Sequence, residues 1–148
     1  MSEALLAKWD VEQRPHEGLI LVRMSGVFRD ADMHEFDVAY RKATDQFAGK
    51  AHVVLADMRG LKTLNAALAE IFGASIGYAR SRGVALCAHV SDETVARLQA
   101  ARVARANSPD DDVTIDVASR EEAEQLCREA WAKLKARTAD TPLRDGLV

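Results

Sequence analysis

The chain predicts an α/β protein: a mixed, mainly parallel five-stranded sheet with about four helices, in the order ββαβαβαβα. Three observations carry that expectation. First, Trp9 and Val11 alternate with polar neighbours, and after the turn signal Arg14-Pro15-His16-Glu17-Gly18 comes the apolar segment Leu19 to Met24. This is the pattern of two strands joined by a short connection. Second, Val53-Val54-Leu55-Ala56 and Val84 to Val90 are nearly continuous apolar runs, as central parallel strands need when both faces are covered. Third, the segments between and after them repeat apolar residues at helical spacing. Strands alternating with helices imply right-handed crossovers, and they leave the first strand antiparallel at an edge.

Each further element follows from local signals. Gly26 ends the second strand, and Asp30 or Asp32 caps a helix whose apolar residues Met33, Phe36, Tyr40, Ala43 and Phe47 share one face before Gly49 stops it. The third strand is expected over Ala51 to Asp57, then a helix from Asn65 to Ser81 closed by Gly83, then the fourth strand. Ser91 or Asp92 caps a third helix running to about Ala106, and Asn107-Ser108-Pro109-Asp110 breaks the chain before a short strand, Val113 to Val117. In the last helix Ser119 and Glu122 form a capping box, and Ala123, Leu126, Cys127, Ala130, Trp131 and Leu134 form its apolar stripe. Residues 1–136 are expected to be one domain and 137–148, with Pro142 and Gly146, a polar tail.

Composition narrows the function classes. With 48% apolar and 29% charged residues, a chain of 148 residues has the make-up of a globular domain, one that buries roughly two thirds of its unfolded surface. The net charge of -3 gives no electrostatic reason to expect nucleic acid. No apolar run approaches the roughly 18 residues of a membrane span, and MSEALLAKWD lacks the basic start and long apolar stretch of a signal peptide, so a cytoplasmic location is expected. Cys87 and Cys127 read as buried, reduced thiols. His16, His34 and His52 fall in a turn, a helix and a strand without metal-ligand spacing, so neither a metal nor another cofactor is expected.

The stretch Leu55-Ala56-Asp57-Met58-Arg59 places an Asp at the end of the third strand, before a short loop and a helix, and the final strand leads into ASREEAEQLCREAW. This arrangement resembles the STAS family, which includes the SpoIIAA-type anti-sigma factor antagonists, over about residues 8 to 135. The resemblance implies a non-catalytic regulatory domain that binds a protein partner. Phosphorylated members carry Asp-Ser-Ser-Gly in the loop before the second helix. The equivalent stretch here is Asn65-Ala66-Ala67-Leu68, and neither alanine offers a hydroxyl for the two negative charges a phosphate brings. Thr63 is a nearby hydroxyl, read first as a helix cap. The resemblance also reaches SpoIIAA-like proteins related in fold to the Sec14 lipid-binding branch, which implies, as an alternative, a small apolar or lipid ligand between sheet and helices.

Candidate partner contacts follow from this reading. They are Asp57, Arg59, Thr63 and Asn65 in and after the loop, together with Ala66, Ala69, Gly73, Gly77 and Arg80 on the second helix. On a helical wheel Leu64, Leu68, Ile71, Ser75 and Tyr78 face inward, and the small residues fall opposite. Two glycines inside a helix each cost about 1 kcal/mol relative to Ala, and close approach of a partner, of the tail or of a second copy in a homodimer would offset that cost. In the third helix Arg97, Arg102 and Arg105 are candidates to meet an acidic partner or an anionic head group. A third reading pairs Asp57 with His89, at the end of the next strand, as a hydrolase-type general base. The chain has no Ser on a strand-to-helix elbow and no Gly-rich phosphate loop, so no catalytic residue is assigned.

Overall fold

The computed structural model describes residues 5–92 and 113–145, with side chains through residue 137. A five-stranded sheet runs in the spatial order β1 (Lys8–Arg14), β2 (Leu19–Ser25), β3 (His52–Asp57), β4 (Val84–Val90), β5 (Thr114–Val117). β1 pairs antiparallel with β2 at one edge, and the remaining pairs are parallel. The helices are α1 (Asp30–Asp45), α2 (Ala66–Ser81) and α3 (Arg120–Asp145).

Alternation along the strands sends side chains to two separate cores. Ile20, Val22, Val54, Ala56 and Cys87 pack with Met33, Phe36 and Tyr40 of α1 and with Leu68, Phe72 and Ile76 of α2. Leu19, Leu21, Val53, Leu55, Ala88 and Val90 pack with Ala123 and Cys127 of α3. Because β2, β3 and β4 lie side by side in chain order, the two crossovers of one hand deliver α1 and α2 to the same face. α3, which follows the last strand, is left to cover the other face.

Several sequence expectations need adjustment. Three α-helices stand among the described residues rather than about four, because the segment from residue 93 to Ala106 lies outside them. α1 is capped by a box built on Arg29: the Asp32 carboxylate accepts the Arg29 N–H at 2.9 Å, so Asp32 acts from the third helical position. α3 runs on to Asp145, past residue 136 where a tail was expected to begin. Ala132, Ala136 and Ala139 give that stretch high helix propensity. The wheel drawn for α2 is rotated: Leu68, Phe72, Ile76 and Ala79 form the buried face, and Ile71 and Tyr78 are half-buried. α2 packs against α1 as well as the sheet, so its covered arc is broader than a single stripe, and Ser75 on that side donates to Asp37 of α1 at 2.6 Å.

Candidate functional site

The join between β3 and α2 is a short loop held from both sides. Met58, Leu61 and Leu64 turn into the core. The Met58 N–H donates to the Val90 carbonyl at 2.8 Å, and the Gly60 N–H to the Asp92 carboxylate at 3.0 Å. On the other side the Gly26 N–H donates to the Gly60 carbonyl at 2.9 Å, and the Lys62 N–H to the Gly26 carbonyl at 3.0 Å. With backbone and apolar side chains fixed, the loop presents Arg59 and Thr63 to solvent, and Asn65, Ala66 and Ala67 continue that exposed surface. Asn65 is the cap of α2, its side chain accepting the Leu68 N–H at 2.9 Å. Thr63, first read as a cap, is an exposed loop residue.

Asp57 is buried at the root of the loop, and its carboxylate is fully engaged. Arg59 grips both oxygens, Nε to Oδ1 at 2.9 Å and Nη2 to Oδ2 at 2.7 Å, and Arg120 at the start of α3 reaches Oδ2 at 3.1 Å. Burial by itself would raise the carboxyl pKa, but the hydrogen bonds and charges of Arg59, with Arg120 added, outweigh it and hold the group below its ordinary range. Arg120 went unnoticed in the sequence: it lies 63 residues from Asp57, and only the third dimension joins them. Beside the loop an open groove of about 620 Å³ is lined by Trp9, Arg23, Asp57, Arg59 and Asp92 among others. Arg23 there is already bonded to Asp10 at 2.9 Å, so the groove offers paired charges and a polar surface.

The structure separates other candidates. His89 pairs in register with Ala56, one residue short of Asp57. Its side chain lies with Val22, Phe36, Tyr40 and Ala56 on the α1 and α2 face, whereas Asp57 bonds to α3 on the opposite face. The general-base pair therefore does not exist. Cys87 and Cys127 are free thiols in different cores, and burial pushes the Cys127 thiol up to about 12, away from any nucleophilic role. Gly73 is buried within the single chain, Ala69 and Gly77 are half-buried, and only Ala66 of the small-residue stripe is exposed. The open face expected there is thus mostly covered already. Arg80 stands at the far end of α2, about 21 Å along the axis from Ala66. Arg97, Arg102 and Arg105 lie outside the described residues. Among the described residues no group of three or more His, Cys, Asp or Glu is placed to hold a metal ion, and no helix is long and apolar enough to cross a membrane.

Comparison with known proteins gives the arrangement a context. No family model matches the chain, and no curated protein matches its sequence. Solved structures do match. An anti-sigma factor antagonist from Mycobacterium paratuberculosis aligns with a TM-score of 0.55 at 15% identity, covering 86% of this chain and 99% of that one. A protein of the DUF3478 family from Shewanella loihica, described as having a SpoIIAA-like fold, aligns with a TM-score of 0.62 at 16% identity, covering 86% and 98%. At that identity the likeness speaks for architecture alone, and both alignments span almost the whole of the known domain. The ββαβαβ order, the edge strand and the helix closing the second face thus give this chain a SpoIIAA-like fold.

Proposed function

We propose that the chain is a non-catalytic regulatory module that recognises a protein partner through the loop from Asp57 to Leu64 and the first turn of α2, without a phosphorylation switch. The observation that carries this reading is the state of Asp57. Its carboxylate is buried, ionised and bonded to two arginines, so it shapes a surface rather than moving protons. Ala66 and Ala67 stand exposed at the helix start with no hydroxyl to modify. The fold shared with an anti-sigma factor antagonist supports a regulatory role by analogy. A second copy docking through α2 has little support, since Gly73 is already buried.

The test is co-purification of one stoichiometric partner by the wild type, compared with Thr63→Glu combined with Ala66→Arg. Both positions are exposed, so the double variant should melt within a few degrees of the wild type. Loss of the partner in that variant alone, with retention by an equally charged change on the outer side of α3, is the expected result. Equal recovery from both variants would remove the loop from the interface.

A second reading, a carrier or sensor of a small apolar ligand, is favoured by one separate observation. A cavity of about 330 Å³ lies between α3 and the β2 and β3 strands, with Leu19, Leu21 and Leu55 in its lining.

A further inference from the structure

The cavity under α3 follows from the uneven cover of the sheet. Among the described residues one helix packs against β3, β4 and β5 on this face, and α3 leans over the start of β2. There the indole of Trp131 lies so close above Gly18 that a Cβ on Gly18 would overlap its six-membered ring. Gly18 also has φ +57°, so the turn before β2 favours glycine on two counts. Trp131 forms one wall of the cavity, and the leucines of β2 and β3 form its floor.

The polar part of the lining is incomplete in a particular way. The Nε1–H of Trp131 is buried away from accessible surface and has no acceptor among the described residues. Arg128, Trp131 and Lys135 follow one another at helical spacing along the cavity. Neither cation makes an ion pair among the described residues, Arg128 donating only to the neutral Gln125 side chain at 3.0 Å. Arg14 and Arg120, also in the lining, are paired with Glu12 and Glu17 and with Asp57 and Glu124, so Arg128 and Lys135 are its unpaired cations among the described residues. Two unpaired cations beside an apolar floor call for an anionic group on an apolar body.

We propose that this cavity binds a small amphipathic carboxylate. The carboxylate pairs with Arg128 and Lys135, and the apolar body lies over Leu19, Leu21 and Leu55 beside Trp131, toward Arg120. From Trp131 back to Arg120 is 11 residues of helix, about 16 Å, long enough for a medium-length alkyl chain. This inference rests on the small-ligand reading and is independent of the partner-docking one.

The chain has two tryptophans, so in a Trp9→Phe background the fluorescence of Trp131 reports the cavity directly. The probes are decanoate, decanol and decyltrimethylammonium, each below its micellar concentration, and phosphatidylglycerol vesicles. Decanoate is expected to shift the Trp131 emission and to bind about tenfold more tightly than decanol, the scale of one charge-assisted contact. The cationic probe should not bind. Arg128→Glu combined with Lys135→Glu, both exposed positions, should weaken decanoate by about tenfold or more and leave decanol unchanged. Decanol binding as tightly as decanoate would overturn the carboxylate site while leaving the small-ligand reading intact. Binding of vesicles but not of free decanoate would overturn the proposal in favour of a membrane headgroup. Binding of none of the four would overturn both the proposal and the reading beneath it.

Discussion

The two faces of the sheet use the same strands in different ways. On the α1 and α2 face, Phe36 meets Trp9 edge-on at 6.0 Å, Tyr40 at 5.7 Å and Phe72 at 6.2 Å, a ring cluster spanning β1 and both helices. The helices are tied further by Ser75 to Asp37, and both Arg41 and Arg82 lie over the Tyr78 ring at 4.6 and 4.8 Å. Among the described residues, the α3 face has aliphatic side chains in its core, a single helix and a cavity of about 330 Å³. Adjacent residues of β3 therefore live in different solids: Ala56 in a filled one, Leu55 beside a void. Rigidity and receptivity are divided between opposite sides of one sheet.

The largest expected effect tests the filled side. Phe36→Ala removes the hub of the ring cluster and should cost about 3–5 kcal/mol in urea unfolding. A loss below about 1 kcal/mol would mean that the cluster relaxes freely, and the contrast between faces would fail. The next test uses the two neighbours on β3. Ala56→Leu adds volume where only about 10 Å³ is free and should cost about 1–3 kcal/mol, whereas Leu55→Phe can expand into the cavity and should cost less than about 1 kcal/mol. Equal losses would show that the void is not accessible to side chains.

This division was partly legible in the sequence. The strands, the edge position of β1 and the faces of α1 and α3 follow from periodicity because each depends on residues a few positions apart. β4 begins and ends where the apolar run does, at Val84 and Val90. The rotation of α2 was not legible, because burial of Phe72, Gly73 and Ile76 depends on neighbours the wheel does not contain. The site was less legible still. Asp57 and Arg59 announce themselves locally, but Arg120 completes their cluster from another helix. Trp131 reads as one more residue of an apolar stripe until Gly18 is found beneath it. The expected proximity of Asp57 and His89 failed on register: a shift of one position sends the two side chains to opposite faces.

A smaller effect sharpens the electrostatic side of the contrast. Asp57→Asn leaves Arg59 and Arg120 without their shared charge. Because the Arg59 side chain is 49% exposed, solvent screening limits the cost to about 1–2 kcal/mol. The folded carboxyl titrates below its ordinary value of 3.8, so its stabilisation is complete above that pH and is lost as pH falls through the folded value. Melting curves at a series of acidic pH values should therefore converge for wild type and variant. Curves that stay parallel down to the lowest pH would assign the acid sensitivity to other carboxylates.

The smallest expected effect probes how dry the filled face is. His52 is fully buried, its ring stacked on Phe47 at 4.3 Å, and its Nδ1 lies 2.8 Å from the Lys50 carbonyl, which makes Nδ1–H the donor. Nε2 is then a buried acceptor without a partner. Burial lowers the pKa below 6.5, and the bond to Lys50 opposes it only in part. The unfolded chain therefore takes up its proton near 6.5 while the folded ring stays neutral to a lower pH. Between those two values the unfolded state binds more protons, and stability must fall as pH falls. His52→Phe keeps the stack and removes the titration, so the slope of stability against pH just below 6.5 should flatten in the variant. An unchanged slope would mean that His52 titrates alike in both states, which requires water to reach Nε2 and would make the α1 and α2 face less sealed than its ring cluster implies.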